Sequence, residues 1–150
     1  MNDPRPLLRF ADLAPGRTFE AGPVTVTAEE IKAFARDYDP QPFHTDEAAA
    51  EGTFFKGLAA SGWHTAALGM RLFVEALRVE GGLVGAGIDE LRWPRAARPG
   101  DTLRLVVEVI DARPMMSSSG RGLVRVRCTV FNQDGEVVQK MVPTLVVPMG

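Results

Sequence analysis

The sequence predicts an α+β fold in which one antiparallel β-sheet curls around a long apolar helix. Three observations carry that expectation. Residues 63–78 are apolar on nearly every side, the pattern of a helix buried in a core rather than laid on a surface. Four segments after it read as strands with short turns between them, several alternating apolar and polar residues at the period of a half-buried strand. A β-branched segment and a capped helix precede it. The economical packing of such elements is a sheet layered on a helix.

In chain order, the stretch TFEAGPVTVT has the residue types of a strand. Thr27 with Glu30 then forms a T-x-x-E capping box, in which each side chain satisfies a free backbone N–H. Ile31, Phe34, Ala35 and Tyr38 follow at the spacing of one helical face. Pro40 stops this helix, and Thr45 or Asp46 caps a second, short one that Gly52 ends. In the long helix Arg71, Glu75 and Arg78 fall on one narrow charged stripe. The strands beyond it are GAGIDELRWP, then TLRLVVEVID with Leu103, Leu105, Val107 and Val109 on one face. LVRVRCTVF follows, with Val124, Val126, Cys128 and Val130 on one face, and then EVVQKMVPTLVV. The loop MMSSSGRG and the pair Asp134-Gly135 supply the hairpin turns. Four consecutive strands wrapped on one preceding helix is the pattern of a hot-dog fold.

At 150 residues the chain is expected to form one domain, 1–150, with a full core. Its net charge of −2 argues against a nucleic-acid or membrane-surface binder, which carries a basic patch or stripe. The lone Cys128 has no disulfide partner and lies on the apolar register of its strand, so a structural thiol in a reducing, cytoplasmic setting is expected. The first ten residues, MNDPRPLLRF, lack an apolar core of signal-peptide length. No apolar run reaches membrane-span length either.

Chemistry concentrates in FARDYDPQPFHTDEAAAEG, residues 34–52, which places two prolines and one of the two histidines between helical segments. Proline disfavours helical geometry in the residue before it, so Pro40 and Pro42 predict a stiff, extended path from Asp39 to His44. A carboxylate and an imidazole held around one water can take a proton from that water and return one to a carbon skeleton. By itself the pattern is equally compatible with ordinary helix punctuation. A second piece is AASGWHTAAL, where Ser61-Gly62 opens the buried helix. Backbone N–H groups there are unpaired and the helix dipole is positive, so a polarised oxygen fits at Gly62. Trp63 and His64 lie beside it. His44, Asp46 and His64 lack a zinc-ligand spacing and no metal is expected; no Gly-rich phosphate loop or nucleophile elbow is present.

The segments DPQPFHTD and GLAASGWHTAAL resemble the signature of the MaoC-like dehydratases, the (R)-specific enoyl-CoA hydratases, whose pattern is approximately D-x-N-P-x-H-x-D followed by a glycine-containing turn into the central helix. RWPRAARPGDTLRLVVEV resembles the strand–turn–strand that follows. The resemblance spans roughly residues 19–147. It implies that Asp39 and His44 are the catalytic pair and that the Gly62 amide holds the thioester oxygen, with Ser61, Trp63 and His64 shaping the substrate site. Two departures bear on this: Gln41 stands where Asn is commoner, and Ser61-Gly62-Trp63 replaces His-Gly.

The implied activity is hydration of an α,β-unsaturated acyl-CoA, or dehydration of the 3-hydroxyacyl thioester. Coenzyme A is part of the substrate, and no separate cofactor is required. Arg92, Arg95 and Arg98 are candidates for its phosphates, or a solvated basic turn. A homodimer is expected, because a sheet on one helix leaves bare edges and the resemblance implies sites between two subunits. The alternatives are a hot-dog thioesterase and a non-catalytic subunit that binds acyl thioesters.

Overall fold

The computed structural model describes residues 3–149. Strand β1 (Thr18–Thr25) leads into helix α1 (Ala28–Tyr38), followed by the short helices α2 (Pro42–Thr45) and α3 (Glu47–Glu51) and the long helix α4 (Gly62–Ala76). Strands β2 (Val84–Arg92), β3 (Thr102–Pro114), β4 (Arg121–Phe131) and β5 (Val137–Pro148) complete the chain. One five-stranded antiparallel sheet with α4 in its concavity is the α+β hot-dog arrangement.

The sheet order is β1-β3-β4-β5-β2. The last three strands form a meander, as the turn signals predict, and Gly135 turns the final hairpin with φ +74°. β2, however, does not lie beside β3, as consecutive pairing would have it. It crosses to the far edge and pairs with β5, leaving β1 and β2 as the two edges. The β3 and β4 residues expected inward are all buried, from Leu103 to Val109 and from Val124 to Val130. They meet Leu68, Leu72 and Phe73 of α4 in one core. Truncating the fully buried Phe73 to Ala is expected to cost about 3–5 kcal/mol.

Three expectations are corrected. Residues 39–44 are not extended throughout: Gln41 is, but Asp39 has ψ 65° and Pro42 begins a helical turn, since proline suits the first helical position, where no N–H is needed. α4 ends at Ala76, and Arg78 instead binds the backbone oxygens of Asp3 and Arg5. Nor is α4 buried all round. Trp63, Ala67, Met70 and Val74 form an exposed apolar stripe, and β2 beyond it exposes Val84 and Ile88.

Thr27 accepts from the Glu30 N–H, and Asp46 accepts from the Ala49 N–H at the start of α3, each cap contributing about 1 kcal/mol. The expected capping box is only half formed, because Glu30 Oε1 accepts from the Thr27 hydroxyl instead of its N–H. The N-terminal segment is anchored at the far end of α4, where Leu8 bridges Val79. No helix among the described residues is long and apolar enough to cross a membrane.

Candidate active site

Asp39 ends α1, His44 sits in α2, and Ser61-Gly62 begins α4, so three helical pieces converge on one point. His44 is buried. Its Nδ1 donates to the Ala59 carbonyl at 2.6 Å, because a carbonyl only accepts. That bond fixes the tautomer of the neutral ring and leaves Nε2 with a lone pair. Nε2 stands 3.4 Å from Asp39 Oδ2, a spacing at which one water can touch both groups.

Asp39 is held by its own partners. Ser61 Oγ donates to Oδ2 at 2.7 Å, and Gln41 Nε2 donates to Oδ1 at 2.5 Å. Burial works to raise the Asp39 carboxyl, but these two donors and the adjacent His44 more than offset it and hold the group below the usual carboxylate range. Gln41, in place of the commoner Asn, therefore supports the carboxylate directly. Ser61 has a second role, because its Oγ accepts from the Trp63 N–H and caps α4. It binds Asp39 rather than forming part of an oxyanion site.

The segment that carries the Ala59 carbonyl is clamped from outside. Arg98 donates to the carbonyls of Phe55, Gly57 and Leu58, and the Ala60 N–H donates to Ala97. Arg98 is thus a structural tie, its guanidinium already committed, rather than a free phosphate ligand. Arg92 opens on a different groove, beside Lys140 and Arg127. Arg95 alone of the three lines the cavity described next, paired with Glu136 at 2.8 Å.

His44 and Gly62 face a cavity of ≈ 390 Å³ whose apolar walls include Phe43, Phe55, Ala97 and Trp93. Grooves of ≈ 540 and ≈ 550 Å³ lie elsewhere and contain neither His44 nor Asp39. Gly62 is the first residue of α4, so its N–H has no intrahelical acceptor. The Trp93 indole lies so close to Gly62 that an added Cβ would meet its ring at 2.7 Å.

Besides Arg92 and Arg98, the expected site residues Asp39, Ser61, Trp63 and His64 do not line this cavity; Asp39 and Ser61 adjoin it through His44 and Gly62. His64 stacks on Phe34 of α1 at 4.8 Å, with its Nδ1 buried and without a partner among the described residues; burial lowers its pKa below the ordinary value despite the pull of Glu30. It sits on the helix face turned toward α1. Trp63 is on the exposed stripe and touches the site only through the edge of Trp93. Asp46 caps α3, so it does not converge with the histidines. Burial pushes the Cys128 thiol up to about 12, which removes it as a nucleophile at neutral pH.

Sequence reasoning missed Trp93 and Gln139. Gln139 stands on the inward register of β5 with Met141, Leu145 and Val147 and is fully buried. A lone amide in an apolar register is the signal that it serves a partner; here its Oε1 accepts from the Trp93 indole N–H at 2.9 Å.

The sheet around α4, with an Asp–His pair at the helix start, defines the hot-dog class of folds. The chain belongs to the MaoC like domain family, which matches residues 10–130. It is similar to the MaoC-like dehydratase from Rhodospirillum rubrum, with 47% identity, a TM-score of 0.90, and coverage of 94% of this chain and 97% of that one. The R-hydratase PhaJ1 from Pseudomonas aeruginosa is 28% identical at a TM-score of 0.77, covering 95% and 86%. A monoamine oxidase regulatory protein from Archaeoglobus is 25% identical at a TM-score of 0.84, covering 97% of each.

Proposed function

We propose that this protein is an (R)-specific enoyl-CoA hydratase, adding water across the double bond of an α,β-unsaturated acyl-CoA and, in reverse, dehydrating the 3-hydroxyacyl thioester. The observation that carries this reading is the His44 geometry. A carbonyl holds Nδ1, Nε2 points toward an ionised Asp39, and His44 itself lines an apolar cavity that also reaches Gly62 at the start of α4. Similarity to an R-hydratase supports it.

In this mechanism the thioester oxygen lies against the Gly62 N–H, where the helix dipole stabilises the negative charge that develops as the β-carbon is attacked. His44 Nε2 accepts a proton from water as the water oxygen bonds the β-carbon. Asp39 stabilises the resulting imidazolium and shares its proton, and the pair returns that proton to the α-carbon. One O–H bond and one carbon–carbon π bond break; one C–O and one C–H bond form. The chemistry calls for no redox or metal cofactor, and coenzyme A arrives with the substrate. Arg95 is the remaining candidate for its phosphates.

The same proposal includes a homodimer. The stripe of Trp63, Ala67, Met70 and Val74 is exposed and the edge of β2 is bare, and a two-fold contact is the commonest way to cover such surface on both chains. Light scattering tests this: the mass of two chains is expected, and that of one chain at full activity contradicts it.

A series of enoyl-CoA thioesters, followed by loss of the conjugated-enoyl absorbance, tests the activity. Hydration to the (R)-3-hydroxyacyl product is expected. Release of free coenzyme A instead would make the protein a thioesterase. Tight binding without turnover would make it a non-catalytic acyl-thioester subunit, a role closer to the regulatory relative.

A further inference from the structure

Trp93 is the one large side chain that joins the cavity, the helix start and the sheet. Its ring rests on Gly62, within 2.7–2.9 Å of where a Cβ would stand. Its N–H is fixed by Gln139, a residue with no exposed surface. Behind the indole lies a second point of contact. The Gln139 Nε2 has no partner among the described residues and faces α4 at Gly69, where an added Cβ would stand 3.1 Å away. Gly69 therefore makes room for the amide between helix and sheet. A buried amide with an unmade bond is destabilising, so its place in an apolar register calls for a reason. Holding the indole supplies one.

We infer that Trp93, locked by Gln139, closes the cavity toward the space beneath α4 and restricts the acyl group to short chains. Beside His44 the cavity walls include Phe43, Phe55 and Ala97, and Trp93 lines the same cavity with its indole set against α4 at Gly62. A tryptophan free to rotate would swing aside for a longer chain. One whose N–H is tied to a buried acceptor would have to leave that amide with a second unmade bond, so the wall is rigid. Gln139 is the positioning residue and Trp93 the specificity-determining one.

This inference rests on reading the cavity as an acyl-thioester site, and binding separates the two because it needs no turnover. Calorimetric titration of the whole protein with saturated thioesters, butyryl-CoA through decanoyl-CoA, is the test. The wild type is expected to prefer butyryl-CoA, with affinity falling at least about tenfold by octanoyl-CoA, the discrimination a closed apolar pocket achieves. Trp93→Ala is expected to flatten or reverse that ratio, and Gln139→Leu, which cannot accept from the indole, to shift it the same way by a smaller factor. Equal wild-type affinity for butyryl and octanoyl chains overturns the inference, as does an unchanged ratio in Trp93→Ala. Should that variant fail to fold, Trp93→Leu and Gln139→Leu answer through the same ratio. A chain-length preference without hydration would fail the hydratase reading alone, whereas no binding of any thioester would overturn both.

Discussion

The chain's two histidines are both buried, yet their surroundings have little in common. His44 has a carbonyl on one nitrogen and a carboxylate near the other, and it opens on a cavity. His64 has an aromatic face against its ring and an unpartnered Nδ1. The first environment gives the ring a defined tautomer, a neighbouring carboxylate and access to a reactant. The second disfavours charge and offers the ring only packing. What separates an acid–base residue from a core residue here is the set of polar atoms within reach, not burial.

The largest effect should come from removing the charge that faces His44. Asp39→Asn is expected to lower turnover of an enoyl-CoA by about 10²–10⁴-fold, the range for a positioned acid–base group, with the melting temperature nearly unchanged because Asp39 lies outside the core. Activity near the wild-type level would remove Asp39 from the mechanism.

Next comes the helix start. Gly62→Val keeps the backbone N–H but should slow turnover by roughly 100-fold or more, since its side chain would push on Trp93 and hold the thioester oxygen away from that donor, whose loss typically costs ~3 kcal/mol of barrier. If the variant merely unfolds while a milder Gly62→Ala keeps full activity, Gly62 is a packing residue.

A smaller change is expected at Ser61. Ser61→Ala removes a donor that favours the charged carboxylate. The Asp39 pKa then rises toward its ordinary value, and the acidic limb of the pH–rate profile moves up. A loss of about tenfold in kcat corresponds to one ordinary hydrogen bond. An unshifted acidic limb would show that Ser61 only caps the helix.

The smallest effect belongs to His64 and appears in stability rather than rate. Its folded pKa lies below the ordinary 6.5, so on acidification the unfolded chain takes up this proton first. Its contribution is intact above 6.5 and is lost as the pH falls from there toward the folded value. Urea midpoints on the two sides of that pH should therefore differ less in His64→Leu than in the wild type. An identical pH dependence in both proteins would contradict the stacked, neutral ring.

Much of this architecture is legible in residue order. The alternation of β3 and β4 sets which side chains face inward, and T-x-x-E marks the start of α1. The crossing of β2 to β5 is not legible, because a local pattern gives the period of a strand and not its neighbour. α2 escaped because proline reads first as a breaker, although it suits the first turn. For the site, spacing alone left Asp39, His44 and Gly62 open to a reading as helix punctuation, and the resemblance of their segments to a known signature brought the three together. Sequence could not say which face of α4 His64 occupies, nor that Arg98 spends its donors on backbone carbonyls. Gln139 was visible as an amide in an apolar register, but its partner, Trp93, lies across the β5–β2 pairing that the sequence left open.

The two histidines also supply the most direct test of the central claim, that the Asp39–His44 pair performs hydration. Initial rates of enoyl-CoA hydration should be measured side by side for His44→Ala and His64→Leu, each checked for native folding. The His44 variant is expected to lose about 10²–10⁴-fold, and the His64 variant to stay within a small factor of wild type. Comparable losses in both, or a His44 variant that keeps its rate, would contradict the account.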